Sequence, residues 1–404
     1  METPAPIHPF PARMAASIAW SILEKLPSHR PRQVLDPMAG SGTTLVVARK
    51  LGHKAIGIDI DPLAVLMASA WCADVDSAKV LKFAEQVAQH SAREWQSISQ
   101  RDAYPNNANQ ETCEFVRYWF DPRSRRQLTS LARTISGISA PVIRNLLWCG
   151  FSRLIVVKQA GASLAMDVSH SRPHRSYDRA PIQPVREFLR AMRRVVAALP
   201  FTTEDRTTRP AASVCLGDAR RLRLADNTID VVITSPPYLN AIDYMRGHKL
   251  SLVWMEHSVP ELRRIRSENI GSEAAPITGD KIDEHIRIAY QAGINNGILP
   301  NSQSRMLIRY LSDMRAVLTE IRRVLRENGS LSLVVGNSTI RGSFVQNSES
   351  IKALARKAGL RLKSEHVRAL ADNRRYLPPP RAKHAGSELS KRMRQEVVLQ
   401  FSPQ

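Results

Sequence analysis

Thr234-Ser235-Pro236-Pro237-Tyr238 is the segment of this 404-residue chain best equipped for chemistry. It follows the apolar run 229–233, which reads as a short buried strand of mostly β-branched residues. Two consecutive prolines fix φ twice and remove two backbone donors, so the loop offers rigid carbonyl acceptors that no ladder can use. With the Ser235 hydroxyl and the Tyr238 ring beside them, these acceptors suit a planar ring bearing an exocyclic amino group. The oxygens would take its N–H protons while Tyr238 stacks on its face. Taken alone, the segment reads more readily as a strand stop with Tyr238 packed on the core, so its meaning depends on the rest of the chain.

A second group supplies the missing half. Asp36-Pro37-Met38-Ala39-Gly40-Ser41-Gly42-Thr43-Thr44 leads from a short apolar strand through a Gly-rich turn into a helical pattern at Leu45, Ala48 and Leu51. Gly40 and Gly42 permit a tight turn and close approach of a ligand to the backbone. The strand 55–58 ends in Asp59, twenty-three residues after Asp36 and placed to accept both hydroxyls of a ribose. The turn lacks the Gly-Lys-Ser/Thr ending of a phosphate loop, and Asp36 at its mouth would repel a pyrophosphate but attract a cation. A sulfonium cofactor carrying an amino acid, S-adenosylmethionine, fits those charges better than NAD or ATP. Asp218, after a third strand at 214–216, could accept from the amino group of an adenine. Asp36, Asp59 and Asp218 thus end successive strands, at the edge where open parallel sheets bind ligands. Asp61, directly before Pro62, reads instead as a helix cap.

These segments, with Gly57-Ile58-Asp59-Ile60-Asp61-Pro62, resemble motifs of the amino-group DNA methyltransferases, the N4-cytosine/N6-adenine family. His8-Pro9-Phe10-Pro11-Ala12-Arg13-Met14 is similar to the segment that closes over the methionine end of the cofactor in that family. The stretches 334–338 and 374–380 resemble the later part of the same catalytic domain, so the likeness covers roughly residues 5–75 and 212–402. It implies a Rossmann-like S-adenosylmethionine-dependent methyltransferase fold of α/β class, with a mostly parallel seven-stranded sheet and a large insertion. Catalysis would fall to Ser235, Pro236, Pro237 and Tyr238. The cofactor would meet His8, Pro11, Asp36, Pro37, Ala39, Gly40, Ser41, Gly42, Thr43, Asp59, Asp218 and Thr234. Tyr244 and Arg246 emerge from the catalytic loop and, with Asn240, Arg374, Arg375 and Tyr376, are candidates for the DNA side. In this family Ser before Pro-Pro-Tyr is commoner with cytosine N4, and Asp or Asn with adenine N6. N4-methylcytosine is therefore the favoured product and N6-methyladenine the alternative.

Composition agrees with a polyanionic partner: 58 Lys+Arg against 37 Asp+Glu give a net charge of +21. Double-stranded DNA is the expected partner, with a companion restriction endonuclease as a second candidate. No run approaches a membrane span, and residues 1–11 lack the pattern of a signal peptide, so a prokaryotic cytoplasmic address on the nucleoid is expected. Cys72, Cys113, Cys149 and Cys215 show no metal-ligand spacing, so neither metal nor disulfide is expected. None of the four adjoins a proline, which disfavours methylation at a pyrimidine carbon by a cysteine nucleophile.

The elements that must position these groups follow from periodicity. Met14, Ile18, Ile22 and Leu26 mark an N-terminal helix with one apolar stripe. About 140 residues separate the second strand from the third, too many for a connection. Residues 1–75 and 210–404 are therefore assigned to a catalytic domain, and 76–209 to a helical, basic insertion that is a candidate target-recognition region. Within it, 169–194 carries nine Arg and His residues and Tyr177, suited to backbone contacts or, equally, to a solvated face. Beyond the catalytic loop come an amphipathic helix at Leu250 to Met255 and the cluster Arg263, Arg264 and Arg266. A long helix through Leu311 to Leu325, ending near Gly329, a strand at 331–335, a helix at 348–358 and strands at 360–370 and 396–401 complete the pattern. Two rivals stand beside the DNA reading. An RNA guanine-N2 methyltransferase usually carries Asp in place of Ser235 and an extra N-terminal RNA-binding domain. An inactive DNA-binding regulator would have no need of an intact 234–238 loop.

Overall fold

A computed structural model describes residues 5–9, 14–27, 30–239, 243–272, 283–295, 297–340, 343–369 and 395–404. Its strands include β1 (Gln33–Asp36), β2 (Lys54–Asp59), β3 (Ala212–Leu216), β4 (Ile229–Thr234), β5 (Leu325–Gly336), β6 (Leu360–Ala369) and β7 (Gln395–Pro403). They form one seven-stranded sheet in the order β6-β7-β5-β4-β1-β2-β3, which establishes the mostly parallel α/β class. The chain divides into two compact units: residues 1–31, 39–216 and 242–266 form the first, and 32–38, 217–241 and 267–404 the second.

The second unit holds the 234–238 loop. Its β4 is buried at all six positions, as a β-branched run in a parallel sheet requires. β4 runs parallel to β1, with Val34 opposite Val231, and parallel to β5, with Thr234 opposite Leu333. The antiparallel β7 follows, Leu399 opposite Leu333, and β6 closes the edge. Helices α11 (Glu284–Ile294), α12 (Asn301–Val324) and α13 (Asn347–Lys357) belong to the same unit. α12 buries the stripe Leu307, Leu311, Met314, Leu318 and Ile321. It stops at Val324, short of the end near Gly329 that its sequence pattern suggests, because Leu325 pairs with Ile229 as the first residue of β5. The strand expected over 331–335 accordingly begins six residues earlier.

In the first unit β2 and β3 pair in parallel, with Ile58 opposite Cys215. Helices α2 (Thr43–Lys50) and α3 (Pro62–Trp71) pack on this pair, α1 (Ala16–Leu23) packs on α2, and α2 buries all but its last residue. The segment 76–209 lies wholly in this unit. It contributes α4 (Ser77–Glu94), α5 (Gln110–Trp119), α6 (Pro122–Ser136), α7 (Pro141–Ile155) and α8 (Pro184–Ala197), with a short hairpin pairing Ala165 with Arg175. Helix α9 (Met245–Leu252) and helix α10 (Val259–Glu268) as far as Arg266 complete it. The buried Arg49 guanidinium braces the unit, bonding Asp74 through both carboxylate oxygens and stacking 4.1 Å from the Phe201 ring.

Candidate active site

The glycine turn is shaped by its own backbone and by Asp59. Gly40 and Gly42 have φ of +50° and +90°, and Gly42 caps α2 from the left-handed region. Asp59 Oδ2 accepts from Gly40 N at 2.8 Å and Oδ1 from Asp61 N at 2.9 Å, so the acid at the tip of β2 is clamped by amides on both sides. The Ala39 amide donates to the Ile58 carbonyl at 2.9 Å. Ser41 is buried, and its hydroxyl has no partner among the described residues. A turn with an orphaned hydroxyl and a fixed carboxylate fits a ligand carrying both donors and acceptors, such as the nucleoside and amino-acid ends of S-adenosylmethionine.

Asp61 does cap α3, accepting from Leu63 N at 2.9 Å. It also carries a partner that no local pattern announces: His248 of α9, with Nδ1 2.5 Å from Asp61 Oδ2. Burial pushes the Asp61 carboxyl up, but the His248 ring and the Leu63 and Ala64 amides outweigh it and hold the group below the ordinary aspartate value. Tyr244 stacks on His248 with ring centroids 6.2 Å apart, and its carbonyl accepts from the Ser171 hydroxyl at 3.2 Å. Arg246 is exposed and pairs with Asp243 at 3.4 Å. His8 lies in the interior, 3.0 Å from the Ser152 hydroxyl of α7. Pro11, Asn240, Arg374, Arg375 and Tyr376 lie outside the described residues.

In the second unit, Asp36 and the 234–238 loop meet directly. Asp36 is buried at the end of β1, and its Oδ1 accepts from the Thr234 hydroxyl at 2.7 Å and from Met38 N at 3.2 Å. Parallel pairing of β1 and β4 brings these two strand ends side by side. One residue later the Ser235 hydroxyl donates to the Val334 carbonyl of β5 at 3.2 Å. Its one proton is thereby committed, and its lone pairs remain as acceptors. Pro236 is buried, Pro237 and Tyr238 are half-buried, and the Tyr238 hydroxyl reaches Glu396 Oε2 of β7 at 3.5 Å. Asp218 is engaged by Arg220, whose Nε lies 3.0 Å from both its carboxylate oxygens. The same guanidinium reaches Asp313 at 2.7 Å and the Glu268 carbonyl at 2.6 Å. Sequence reading does not single out Arg220, although an arginine two residues after a strand-end acid is the signal that could find it.

Burial pushes the Cys72 and Cys149 thiols up to about 12, which makes both inert packing groups. Among the described residues no His, Cys, Asp and Glu side chains cluster as metal ligands, and no helix is long and apolar enough to cross a membrane.

A family model described as a DNA methylase, of N6/N4 methyltransferase type, matches residues 7–69. The chain is 21% identical over 376 residues to the Type II methyltransferase M.MvaI of Kocuria varians, spanning 87% of this chain and 80% of that enzyme. It is 20% identical over 385 residues to the Type II methyltransferase M.BsoBI of Geobacillus stearothermophilus, over 82% of this chain and 73% of the relative. A SAM-dependent methyltransferase structure from Methanosarcina mazei aligns with 95% of this chain and 96% of its own, at 9% identity and a TM-score of 0.32.

Proposed function

We propose that this chain, which belongs to the amino-group DNA methyltransferases, transfers a methyl group from S-adenosylmethionine to the N4 amine of cytosine in DNA. The observation that carries the reading is the Ser235 hydroxyl, whose proton is spent on the Val334 carbonyl, so that it meets an incoming amine only as an acceptor. An amine on an aromatic ring is a poor nucleophile because its lone pair is delocalised. Accepting its N–H protons at Ser235 and at the Pro236 carbonyl pulls the nitrogen towards tetrahedral geometry and frees that lone pair. When bound, S-adenosylmethionine supplies an electrophilic methyl on a sulfonium, and a C–N bond forms as the C–S bond breaks. One amine proton then leaves through the acceptors to solvent. Holding both reactants in line can supply up to roughly 7–11 kcal/mol of the barrier.

The cofactor residues of this reading are His8, Pro11, Asp36, Pro37, Ala39, Gly40, Ser41, Gly42, Thr43, Asp59 for the ribose, Asp218 and Thr234. A base inside a duplex cannot reach the 234–238 loop, so the cytosine must be flipped out, at a cost of a few kcal/mol. Stacking on Tyr238 would recover about 1–3 kcal/mol. Asn240, Tyr244, Arg246, Arg374, Arg375 and Tyr376 are assigned to the DNA. Segments 1–75 and 210–404 are assigned to the catalytic domain and 76–209 to target recognition. The two relatives bear Type II names, which supports a modification enzyme paired with a restriction endonuclease.

The test is methylation of unmodified duplex DNA with labelled S-adenosylmethionine, followed by nucleoside analysis by mass spectrometry. N4-methylcytosine is expected. N6-methyladenine would overturn the choice of base, and label in tRNA alone would overturn DNA as substrate. Ser235→Ala should lower turnover about 10²–10³-fold, by analogy with loss of one preorganised hydrogen-bonding group, while DNA binding persists.

A further inference from the structure

We propose that α5, α9 and α10 of the first unit form a grip for the phosphate backbone of duplex DNA, with Lys249 at its centre. This rests on DNA being the substrate, and it adds Lys249, Arg263 and Arg266 to Arg246, which that reading already assigns to the DNA.

Lys249 and Arg246 lie one turn apart on α9, and Arg263 and Arg266 lie on α10. Among the described residues, two carboxylates serve these four cations. Asp243 takes Arg266 at 2.5 Å and Arg246 at 3.4 Å, while Glu111 of α5 takes Arg263. The group therefore carries an excess of two positive charges in a small volume. Burial lowers the Lys249 pKa, and repulsion from Arg266, Arg246 and Arg263 adds to the effect against the opposing pull of Asp243. A cluster that repels its own central cation is stabilised by an added anion. Arg246 and Arg263, 56% and 63% exposed, turn that surplus towards solvent.

The ground beside the cations is aromatic. The Lys249 ammonium sits 5.1 Å from the Phe115 ring centroid, and Phe115 adjoins Trp119 at 6.3 Å. Tyr118, 52% exposed, meets Trp119 edge-on at 4.9 Å, and the hairpin residue Arg175 lies 5.6 Å over Tyr118. Cations spread over two helices and a hairpin, with rings between them, suit an extended polyanion with sugars and bases to cover rather than a small free anion. The chain's net charge of +21 points the same way.

The test is fluorescence anisotropy of a labelled duplex bound by the full chain over a range of salt concentrations. Neutralising one phosphate contact should reduce the slope of log K against log salt by about 0.9, close to an eightfold loss of affinity near 0.1 M salt. Lys249→Gln and Arg263→Gln should each show that loss, and Lys249→Arg should retain the wild-type slope. Lys54→Gln, exposed at the amino end of β2, should change nothing. Wild-type binding with salt slopes unchanged in both Gln variants would overturn the grip alone, as would an equal loss in Lys54→Gln. A wild type with no salt-dependent binding would overturn both the grip and DNA as substrate.

Discussion

Gly42→Ala should destabilise the protein by about 2–5 kcal/mol, through two costs that a second glycine separates. Gly42 has φ of +90°, where a Cβ costs roughly 1–2 kcal/mol. A Cβ there would also lie 3.0 Å from both Cα and Cβ of Ala68 on α3. A backbone atom in the middle of a buried helix cannot swing aside, and overpacking of this kind adds about 1–3 kcal/mol. Gly52 isolates the first cost, because it has φ of +78° and nothing within 4 Å of its Cβ position. Gly52→Ala should therefore cost only about 1–2 kcal/mol. Adding Ala68→Gly to Gly42→Ala removes the clash with the Ala68 methyl but leaves the crowding against its backbone. It should recover part of the packing cost and none of the conformational one. Urea midpoints followed by circular dichroism, compared at a common slope, measure all three. Equal losses for Gly42→Ala and Gly52→Ala would refute the close approach of α3. The need for glycine at position 42 would then lie with a ligand and not with the fold.

His248→Ala should cost about 3–5 kcal/mol, because it strands a buried carboxylate. Wild-type Asp61 sits below its unfolded value, so its contribution is present above about pH 4 and is lost as pH falls through the folded value. In His248→Ala burial dominates and the sign reverses, so the stability gap between the two proteins should narrow on acidification from about pH 5 to 3. A gap independent of pH in denaturant titrations would contradict this. Arg220→Lys exchanges a planar fork on Asp218, Asp313 and the Glu268 carbonyl for a point charge. It should raise the cofactor Kd measured by calorimetry, with DNA affinity unchanged. Arg49→Lys should lose the two-oxygen bond to Asp74 and the stack on Phe201, lowering the thermal midpoint, as differential scanning calorimetry would record.

Local chemistry is what the sequence makes legible. β4 can be read because six consecutive buried, mostly β-branched positions allow few other arrangements. The capping role of Asp61 can be read because Pro62 follows it. The pairing with His248 spans 187 residues and leaves no trace in either neighbourhood. Leu325 fits the helical repeat of α12 equally well, and only the partner strand holding Ile229 decides against it. Asp36 shows how the two kinds of information combine. Its charge and position suggest a group that attracts a cation. The structure adds that the same carboxylate holds the Thr234 hydroxyl at the entrance to the 234–238 loop. Asp36→Asn would therefore act twice, removing the negative charge from the turn and turning one acceptor oxygen into a donor that can face Thr234. A carboxylate that anchors Thr234 also bears on the placement of Ser235, since Ser235 is the next residue and its hydroxyl is aimed by β5.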